Sequence, residues 1–267
     1  MTDTATEAER EAGQGYETLF VPALFRPWTH HVLNGAGVDT GARVLDIACG
    51  TGVLARDALA RTGPKGAVAG LDPAPGMIAT ARAAEPAIDW RLGPAEDLPF
   101  DDASFDCVLS QFGMMFFQNL PKAAREMHRV LAPSGRLAVA VWDSVERNPA
   151  YGAVGALLDA TVSAEAGHAL RLPYALGDPW PVITALADAG FSHVEVATRS
   201  EKGRFPSART MIEAELRGWL PLFDIHMDET RIAEVLAQAD DALAAYTTPT
   251  GEVAFPTSAH IVTARKP

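Results

Sequence analysis

The chain has little cysteine, no long apolar run and no excess of basic residues. Its only two cysteines are Cys49 and Cys107, which are too few for a disulfide framework and lack the spacing of a zinc site. No apolar run approaches the roughly 20 residues that span a bilayer, and the polar N-terminus lacks the features of a signal peptide. The sequence therefore predicts a cytoplasmic protein without membrane insertion.

The charge balance also excludes one class of partner. Lys and Arg number 22 against 34 Asp and Glu, which gives a net charge of −12. Recognition of a phosphate backbone needs clustered basic side chains, so we do not expect a nucleic-acid partner. The composition, with 48% apolar and 21% charged residues, is typical of a globular enzyme that can bury a sizeable core. It leaves the oligomeric state open.

The most informative segment is Val-Leu-Asp-Ile-Ala-Cys-Gly-Thr-Gly at residues 44–52. Its β-formers predict a buried parallel strand, and its small residues predict a bend where backbone can approach a ligand closely. A helix is predicted from about Val53 to Arg61. Asp72 ends the next apolar run, so we expect its carboxylate at the carboxyl edge of a second parallel strand. There it can accept hydrogen bonds from both hydroxyls of a ribose.

The spacing of small residues separates two cofactor classes. A dinucleotide-binding turn has a third glycine that lets the helix pack beneath a pyrophosphate. Here that position is Val53, which argues against a pyrophosphate ligand. The turn instead resembles motif I, Asp-x-Gly-x-Gly-x-Gly, of the class I S-adenosylmethionine-dependent methyltransferases, with Ala48 in place of the first glycine. This resemblance implies S-adenosyl-L-methionine as cofactor and S-adenosyl-L-homocysteine as product.

A second segment strengthens the resemblance. Residues 91–100, Arg-Leu-Gly-Pro-Ala-Glu-Asp-Leu-Pro-Phe, resemble the Gly-Asp-Ala-Glu-x-Leu-Pro-Phe loop that holds the adenine in the ubiquinone/menaquinone-type methyltransferases. Pro94 stands where that group often has Asp or Asn, and it offers neither a side-chain acceptor nor a backbone N–H. The resemblance therefore implies that Ala95 and Glu96 bind the adenine.

Other cofactor contacts follow from the same resemblance, which is close over residues 40–142 and looser elsewhere. The implied residues lie in the glycine turn, on the second strand and its following helix, at the end of the fourth strand and in the N-terminal segment. They are Asp46, Ala48, Gly50, Thr51, Asp72, Met77, Gln111 and Tyr16.

The family resemblance also implies the fold class, which is α/β. We expect a Rossmann-like, seven-stranded, mostly parallel sheet in the order 3-2-1-4-5-7-6, with the last strand antiparallel and helices on both faces. Residues 1–14 are predicted to be a polar, mobile tail and residues 15–267 a single domain. Its expected parts are a helical cover over 15–40, a cofactor-binding core over 41–142, and helical lid insertions over 143–178 and 206–250 that lie over the carboxyl edge.

The acceptor pocket is predicted where apolar residues follow the fourth and fifth strands. Phe112, Met115 and Trp142 are the candidates, because aromatic and methionine side chains form adaptable apolar pockets. Ordinary core packing is the alternative for such residues.

No decisive catalytic constellation is present, and none is required. Methyl transfer from a sulfonium can be accelerated by positioning and by exclusion of water, so a general base is optional. His226, Asp143 and His31 are candidates, although a lone histidine is more often structural and Asp143 could equally cap the following turn. We find no trio of carboxylate ligands and expect no metal.

The sequence thus predicts methyl transfer to a small, apolar or aromatic molecule, with O-methylation chosen because it is common. One alternative is a C-methyltransferase of quinone biosynthesis, and another is a protein that binds S-adenosylmethionine without transferring its methyl group. An NAD(P)-dependent oxidoreductase is a third alternative, disfavoured by Val53 and by the absence of a suitably placed Tyr-x-x-x-Lys pair.

Overall fold

The alternating apolar runs and helical patterns form one seven-stranded sheet in the computed structural model, which describes residues 5–267. The strand order is β3-β2-β1-β4-β5-β7-β6. Neighbours from β3 to β5 are parallel, whereas β7 runs antiparallel to both β5 and β6. The strands are β1 Arg43–Ile47, β2 Ala67–Asp72, β3 Asp89–Leu92, β4 Phe105–Gln111, β5 Leu131–Trp142, β6 Ser192–Phe205 and β7 Val253–Arg265. The predicted fold class and strand order are confirmed.

Helices lie on both faces of this sheet and above its carboxyl edge. They are α1 Glu7–Phe20, α2 Thr29–Gly35, α3 Val53–Thr62, α4 Pro75–Ala84, α5 Leu120–Val130, α6 Pro149–Thr161, α7 Ala164–Arg171, α8 Trp180–Asp188, α9 Ala208–Ala214, α10 Glu229–Leu236 and α11 Ala239–Ala242. Among the described residues, none of the helices has the length and apolar character needed to cross a bilayer.

The side chains of each strand divide between two buried cores, because successive residues point to opposite faces. On β1, Val44 packs with α2, α3 and α4, whereas Leu45 and Ile47 pack with α5 and α8. All three side chains are fully buried. The sequence of such a strand is a continuous apolar run, as expected for a parallel sheet that is covered on both faces.

A third core lies in the lid, which consists of α6, α7, α9, α10 and α11. The β6–β7 ribbon continues past the end of β5 and pairs as far as Phe205 with Val253. Phe205, Val253 and Phe255 are buried among the side chains of α6, α7, α9 and α10. The long ribbon therefore joins the lid to the sheet by backbone hydrogen bonds and apolar packing.

The first helix corrects one expectation. The predicted mobile tail covers residues 1–14, of which 1–4 lie outside the described residues, but α1 already begins at Glu7. Its start is a capping box, since the Glu9 N–H donates to the Thr6 hydroxyl and the Glu9 carboxylate accepts from the Thr6 N–H at 2.7 Å. Two backbone N–H groups at the start of the helix, those of Thr6 and Glu9, thereby gain hydrogen-bond acceptors. The prediction of a mobile tail was wrong for residues 7–14.

A pair of glycines lets α1 lie directly against α4. A Cβ on Gly76 would lie 2.0 Å from the Glu9 carbonyl oxygen, and one on Gly13 would lie 2.6 Å from the Gly76 carbonyl oxygen. The two helix backbones therefore meet where neither has a side chain. This crossing holds α1 above the carboxyl edge.

We expect Gly76→Ala to destabilise the protein by about 1–3 kcal/mol, since the added methyl must displace the backbone of α1. Urea unfolding measures the change in free energy. Gly15→Ala is the matched control: a Cβ there meets nothing within 4 Å, and alanine favours the helix over glycine by roughly 0.5–1 kcal/mol. Equal stability of Gly76→Ala and the wild type would contradict the close crossing.

Candidate functional site

The carboxyl ends of β1 and β2 are joined by the carboxylate of Asp72. One of its oxygens accepts a hydrogen bond from the Gly50 N–H at 2.9 Å, and the other accepts from the Ala74 N–H at 2.9 Å. Burial raises the pKa of Asp72, while these two hydrogen bonds oppose the rise. The turn after β1 is thus held beside the end of β2, as the sequence predicts.

The glycine turn lies on a buried indole ring. Gly52 has a φ of +87° at the start of α3, and a Cβ there would lie 2.3 Å from the Trp90 ring. A Cβ on Gly70 would lie 2.4 Å from the same ring. Because glycine alone is readily accommodated at both positions, Trp90 can fill the space beneath the turn.

Ala48, which replaces the first glycine of motif I, has a φ of +55°. This left-handed conformation costs a residue with a Cβ roughly 1–2 kcal/mol. A Cβ on Gly113 would come within 2.4 Å of the Ala48 methyl. The missing side chain of Gly113 therefore provides the space that the methyl of Ala48 occupies.

Several buried polar groups at this edge have no hydrogen-bond partner among the described residues. They are both carboxylate oxygens of Asp46, the hydroxyls of Thr51 and Ser110, and the side-chain oxygen of Gln111. Burial raises the pKa of Asp46 well above its usual range. Because buried polar groups are normally satisfied, this concentration indicates a ligand that carries hydrogen-bond donors.

The N-terminal cover, residues 15–40, closes the edge with aromatic rings. Tyr16 lies over the turn, since a Cβ on Gly50 would be 3.8 Å from its ring, and it stacks on Phe25 with ring centroids 5.2 Å apart. The amide nitrogen of Gln111 donates to the Phe25 carbonyl at 3.0 Å. Burial raises the pKa of Tyr16, and the nearby Asp72 carboxylate adds to the rise.

A cavity of about 630 Å³ lies on the other side of Tyr16, between α1, the ends of β4 and β5, and the lid. Its size is within the range of small-molecule sites, roughly 300–1,000 Å³. Phe112 and Trp142 stack at its base with centroids 3.8 Å apart and planes 6° apart. Met77 of α4 also lines it, as do Leu19, Phe20, Phe25, Tyr174 and Trp219. The cavity is therefore suited to a flat, apolar molecule.

One buried carboxylate interrupts this apolar lining. Glu215 is 3% exposed, and one of its oxygens accepts a hydrogen bond from the Tyr151 hydroxyl at 2.9 Å. Burial raises the pKa of Glu215 to about 8, although the bond from Tyr151 lowers it. The sequence analysis missed both residues. The available signal was that Glu215 falls on the helical repeat of Met211, Ile212 and Trp219, which places it on the apolar face.

Besides the residues of the strand edge described above, three further predicted binding residues lie outside the cavity lining. Met115 packs against the cores on both faces of the sheet, and Ala95 is buried in one of them. The carboxylate of Glu96 accepts a hydrogen bond from the Asn119 N–H at 3.0 Å. The adenine contacts implied for Ala95 and Glu96 stay predictions.

The structure brings none of the three catalytic candidates to the cavity. His226 is exposed in the lid, and His31 lies 2.9 Å from the Glu201 carboxylate. Asp143 accepts hydrogen bonds from the Ser258 hydroxyl at 2.8 Å and from the Ser144 N–H at 2.7 Å. The side chain of Asp143 is therefore bonded to its neighbour in the chain and to β7, at the end of β5.

One group of side chains in the described part of the chain has the spacing to hold a metal ion. His30, His31 and Glu201 place one ligand atom each within 4.8 Å of one another. None of the three lines the cavity.

The chain resembles known proteins in both sequence and fold. Residues 45–139 match the methyltransferase domain family. Over 212 residues the chain is 34% identical to nocamycin O-methyltransferase of Saccharothrix syringae, a match that covers 73% of this chain and 74% of that protein. The chain belongs to the class I S-adenosylmethionine-dependent methyltransferases. Its cofactor is S-adenosylmethionine, and the oxidoreductase alternative is set aside.

Other relatives match a smaller part of this methyltransferase. It is 39% identical over 118 residues to a 2-phytyl-1,4-naphtoquinone methyltransferase of Thermosynechococcus vestitus, a match that covers 41% of this chain and 52% of that protein. The chain thus spans about half of that relative.

Solved structures show the same fold at low identity. Phosphoethanolamine N-methyltransferase 2 of Haemonchus contortus has a TM-score of 0.61 at 18% identity, covering 98% of this chain and 58% of that one. The YcgJ protein of Bacillus subtilis has a TM-score of 0.52 at 19% identity, covering 89% of this chain and 98% of that one.

The residues at the edge fit the cofactor of this methyltransferase. The buried carboxyl of Asp46 would be matched by a ligand with an ammonium and a sulfonium group. Gly50, whose Cβ position has only the ring of Tyr16 nearby, lets a ligand approach the backbone. Asp72 would accept the ribose hydroxyls, and Asp46 would offset the positive charge.

We expect Asp72→Ala to weaken binding of S-adenosylhomocysteine by about 2–4 kcal/mol, because hydrogen bonds to a charged acceptor are lost. Titration calorimetry measures the affinity. Asp106→Ala is the control, since Asp106 pairs with Arg43 at 2.7 Å at the amino edge of the sheet and should leave the affinity unchanged. Equal affinities of Asp72→Ala and the wild type would refute the assigned role of Asp72.

Glu215 should also make stability depend on pH. Its folded pKa of about 8 exceeds the value of about 4.3 in an unfolded chain, so folding favours the protonated form. Its contribution is therefore fully present below the unfolded value and is lost as the pH rises through about 8. We expect the stability of Glu215→Gln, relative to the wild type, to increase over this range in urea unfolding. Glu213→Gln, at a half-exposed carboxylate paired with Arg217, should follow the wild type; parallel curves for Glu215→Gln would contradict the burial of a proton.

Proposed function

We propose that this methyltransferase transfers the methyl group of S-adenosylmethionine to an oxygen of a small, apolar or aromatic molecule. The observation that carries the proposal is the cavity lined by aromatic rings, which meets the cofactor edge at Tyr16. An acceptor stacked between Phe112 and the lid would lie beside the ends of β4 and β5. In open α/β sheets, ligands bind at this edge.

The chemistry divides between the cofactor and the chain. S-adenosylmethionine supplies a methyl group that is electrophilic because it is bonded to a sulfonium. Asp72 and Asp46 hold the donor, the aromatic lining orients the acceptor, and the lid excludes water. Holding two reactants in line can supply most of the acceleration that such a transfer needs.

Transfer to oxygen is favoured by how much of the chain each relative matches. The match to nocamycin O-methyltransferase runs over 212 residues, more than the predicted cofactor core over 41–142 can hold. The match to the naphthoquinone methyltransferase runs over 118 residues, which is close to the size of that core. Because the lid supplies much of the cavity lining, the longer match is the better guide to the acceptor. C-methylation of a quinol is the second candidate, supported by the Ala-Glu-x-Leu-Pro-Phe loop at residues 95–100.

The test uses S-adenosylmethionine with a deuterated methyl group and a panel of phenols, enols and naphthoquinols. Mass spectrometry and fragmentation identify the product. We expect methyl ethers from at least one phenol or enol, and none from Asp72→Ala under the same conditions. Methylation of ring carbon alone would support the second candidate, and the absence of any product across the panel would contradict the proposal.

A further inference from the structure

We propose that Glu215 is the general base that accepts the hydroxyl proton of the acceptor, with Tyr151 as the residue that positions its carboxylate. The inference rests on the proposed transfer to a small aromatic molecule and names the group on this chain that recognises its hydroxyl. The acceptor class that follows is a phenol or an enol.

The carboxylate of Glu215 has one oxygen available to a ligand. One oxygen accepts the hydrogen bond from Tyr151, and among the described residues no hydrogen bond or ion pair is formed by the other. Glu215 and Tyr151 both line the cavity, together with Tyr16 at the cofactor end. A hydroxyl in the cavity therefore finds an acceptor already oriented by a second hydrogen bond, which is the arrangement a general base requires.

The backbone at Glu215 supports a functional role. Glu215 begins a π-helical turn, Glu215–Trp219, directly after α9, and a second π-helical turn, Val21–Phe25, borders the cavity from the N-terminal cover. Such turns are rare and occur frequently at functional sites. Here the π-helical turn places the carboxylate of Glu215 and the indole of Trp219 on the lining of the same cavity.

The charges around the cavity leave Glu215 without a cationic partner. The other charged side chains on its lining are Glu11 of α1 and the pair Glu213 and Arg217. Arg217 also pairs with Glu229 at 2.7 Å, so its charge is already balanced. The remaining titratable groups that face Glu215 are Tyr16, Tyr151 and Tyr174. No cation stabilises the ionised carboxylate, so Glu215 is a stronger base towards a hydroxyl beside it.

The step balances without any further reactant. The hydroxyl oxygen forms a bond to the methyl carbon, the carbon–sulfur bond of the donor breaks, and its electron pair stays on sulfur. The hydroxyl proton moves to Glu215 and leaves to solvent when the product departs. The products are a methyl ether, neutral S-adenosylhomocysteine and one proton.

The direct test is the proton balance when 4-nitrophenol binds to the protein saturated with S-adenosylhomocysteine. Calorimetry in buffers of different ionisation enthalpy gives the number of protons taken up per bound 4-nitrophenol. The pH is chosen so that free 4-nitrophenol and Glu215 of the unliganded cavity are both ionised. Two anions cannot share an apolar cavity, so the wild type should take up close to one proton per phenol. Glu215→Gln should take up almost none, whereas Glu234→Gln, at an exposed carboxylate of the lid that does not line the cavity, should match the wild type.

A kinetic readout accompanies the binding experiment. With 2-naphthol, a weak acid, Glu215→Gln should lose roughly 10²-fold or more in kcat, the size expected for removal of a general base. With 4-nitrophenol, which ionises in solution, the loss should be much smaller. A merely structural role would reduce both rates equally.

The outcomes separate this inference from the proposed function. Failure of the wild type to bind S-adenosylhomocysteine would overturn both. Binding of S-adenosylhomocysteine with equal proton uptake by wild type and Glu215→Gln, or without binding of 4-nitrophenol, would overturn the role of Glu215 alone. If Glu215→Gln does not fold, Tyr151→Phe tests the role of Glu215 instead. This variant removes the hydrogen bond that lowers the pKa of Glu215. The pH dependence of proton uptake should therefore move to higher pH. An unmoved dependence would refute the role.

Discussion

The hydrogen bond from the Gly50 N–H to the buried Asp72 carboxylate is the contact on which the site depends. It joins the turn after β1 to the end of β2 at 2.9 Å, so the glycine turn and the carboxylate proposed to accept the ribose hydroxyls belong to one unit. Trp90 supports this unit from below, because Gly52 and Gly70 leave space for its ring. The sheet edge is thereby preorganised for a ligand before any lid contact is made.

The cover and the lid convert this open edge into a cavity. The close crossing of α1 on α4 places Tyr16 over the turn, and Gln111 holds the following segment through the Phe25 carbonyl. On the opposite side the β6–β7 ribbon extends into the lid and is buried with its helices. In the proposed function, donor and acceptor would be held by different parts of the chain that meet at Tyr16.

The sheet was predictable because its pattern is local and strong. Apolar runs such as residues 44–47 followed by glycines specify buried parallel strands, and the strand order followed from the family resemblance. The start of α1 was equally available, since Thr6-x-x-Glu9 is a capping-box pattern, but the acidic composition of residues 1–14 led to the prediction of a tail. Glu215 was harder to find. The helical repeat places it on an apolar face, but its partner Tyr151 lies on α6, 64 positions earlier in the chain, and no local pattern encodes that pairing.

The central claim is that the edge formed by Asp46, Gly50 and Asp72 holds S-adenosylmethionine. The most direct measurement is calorimetric titration of the purified chain with S-adenosylmethionine, S-adenosylhomocysteine and NADH in parallel. The account predicts saturable binding of the first two at one site and no binding of NADH. Binding of NADH alone, or of none of the three, would contradict it.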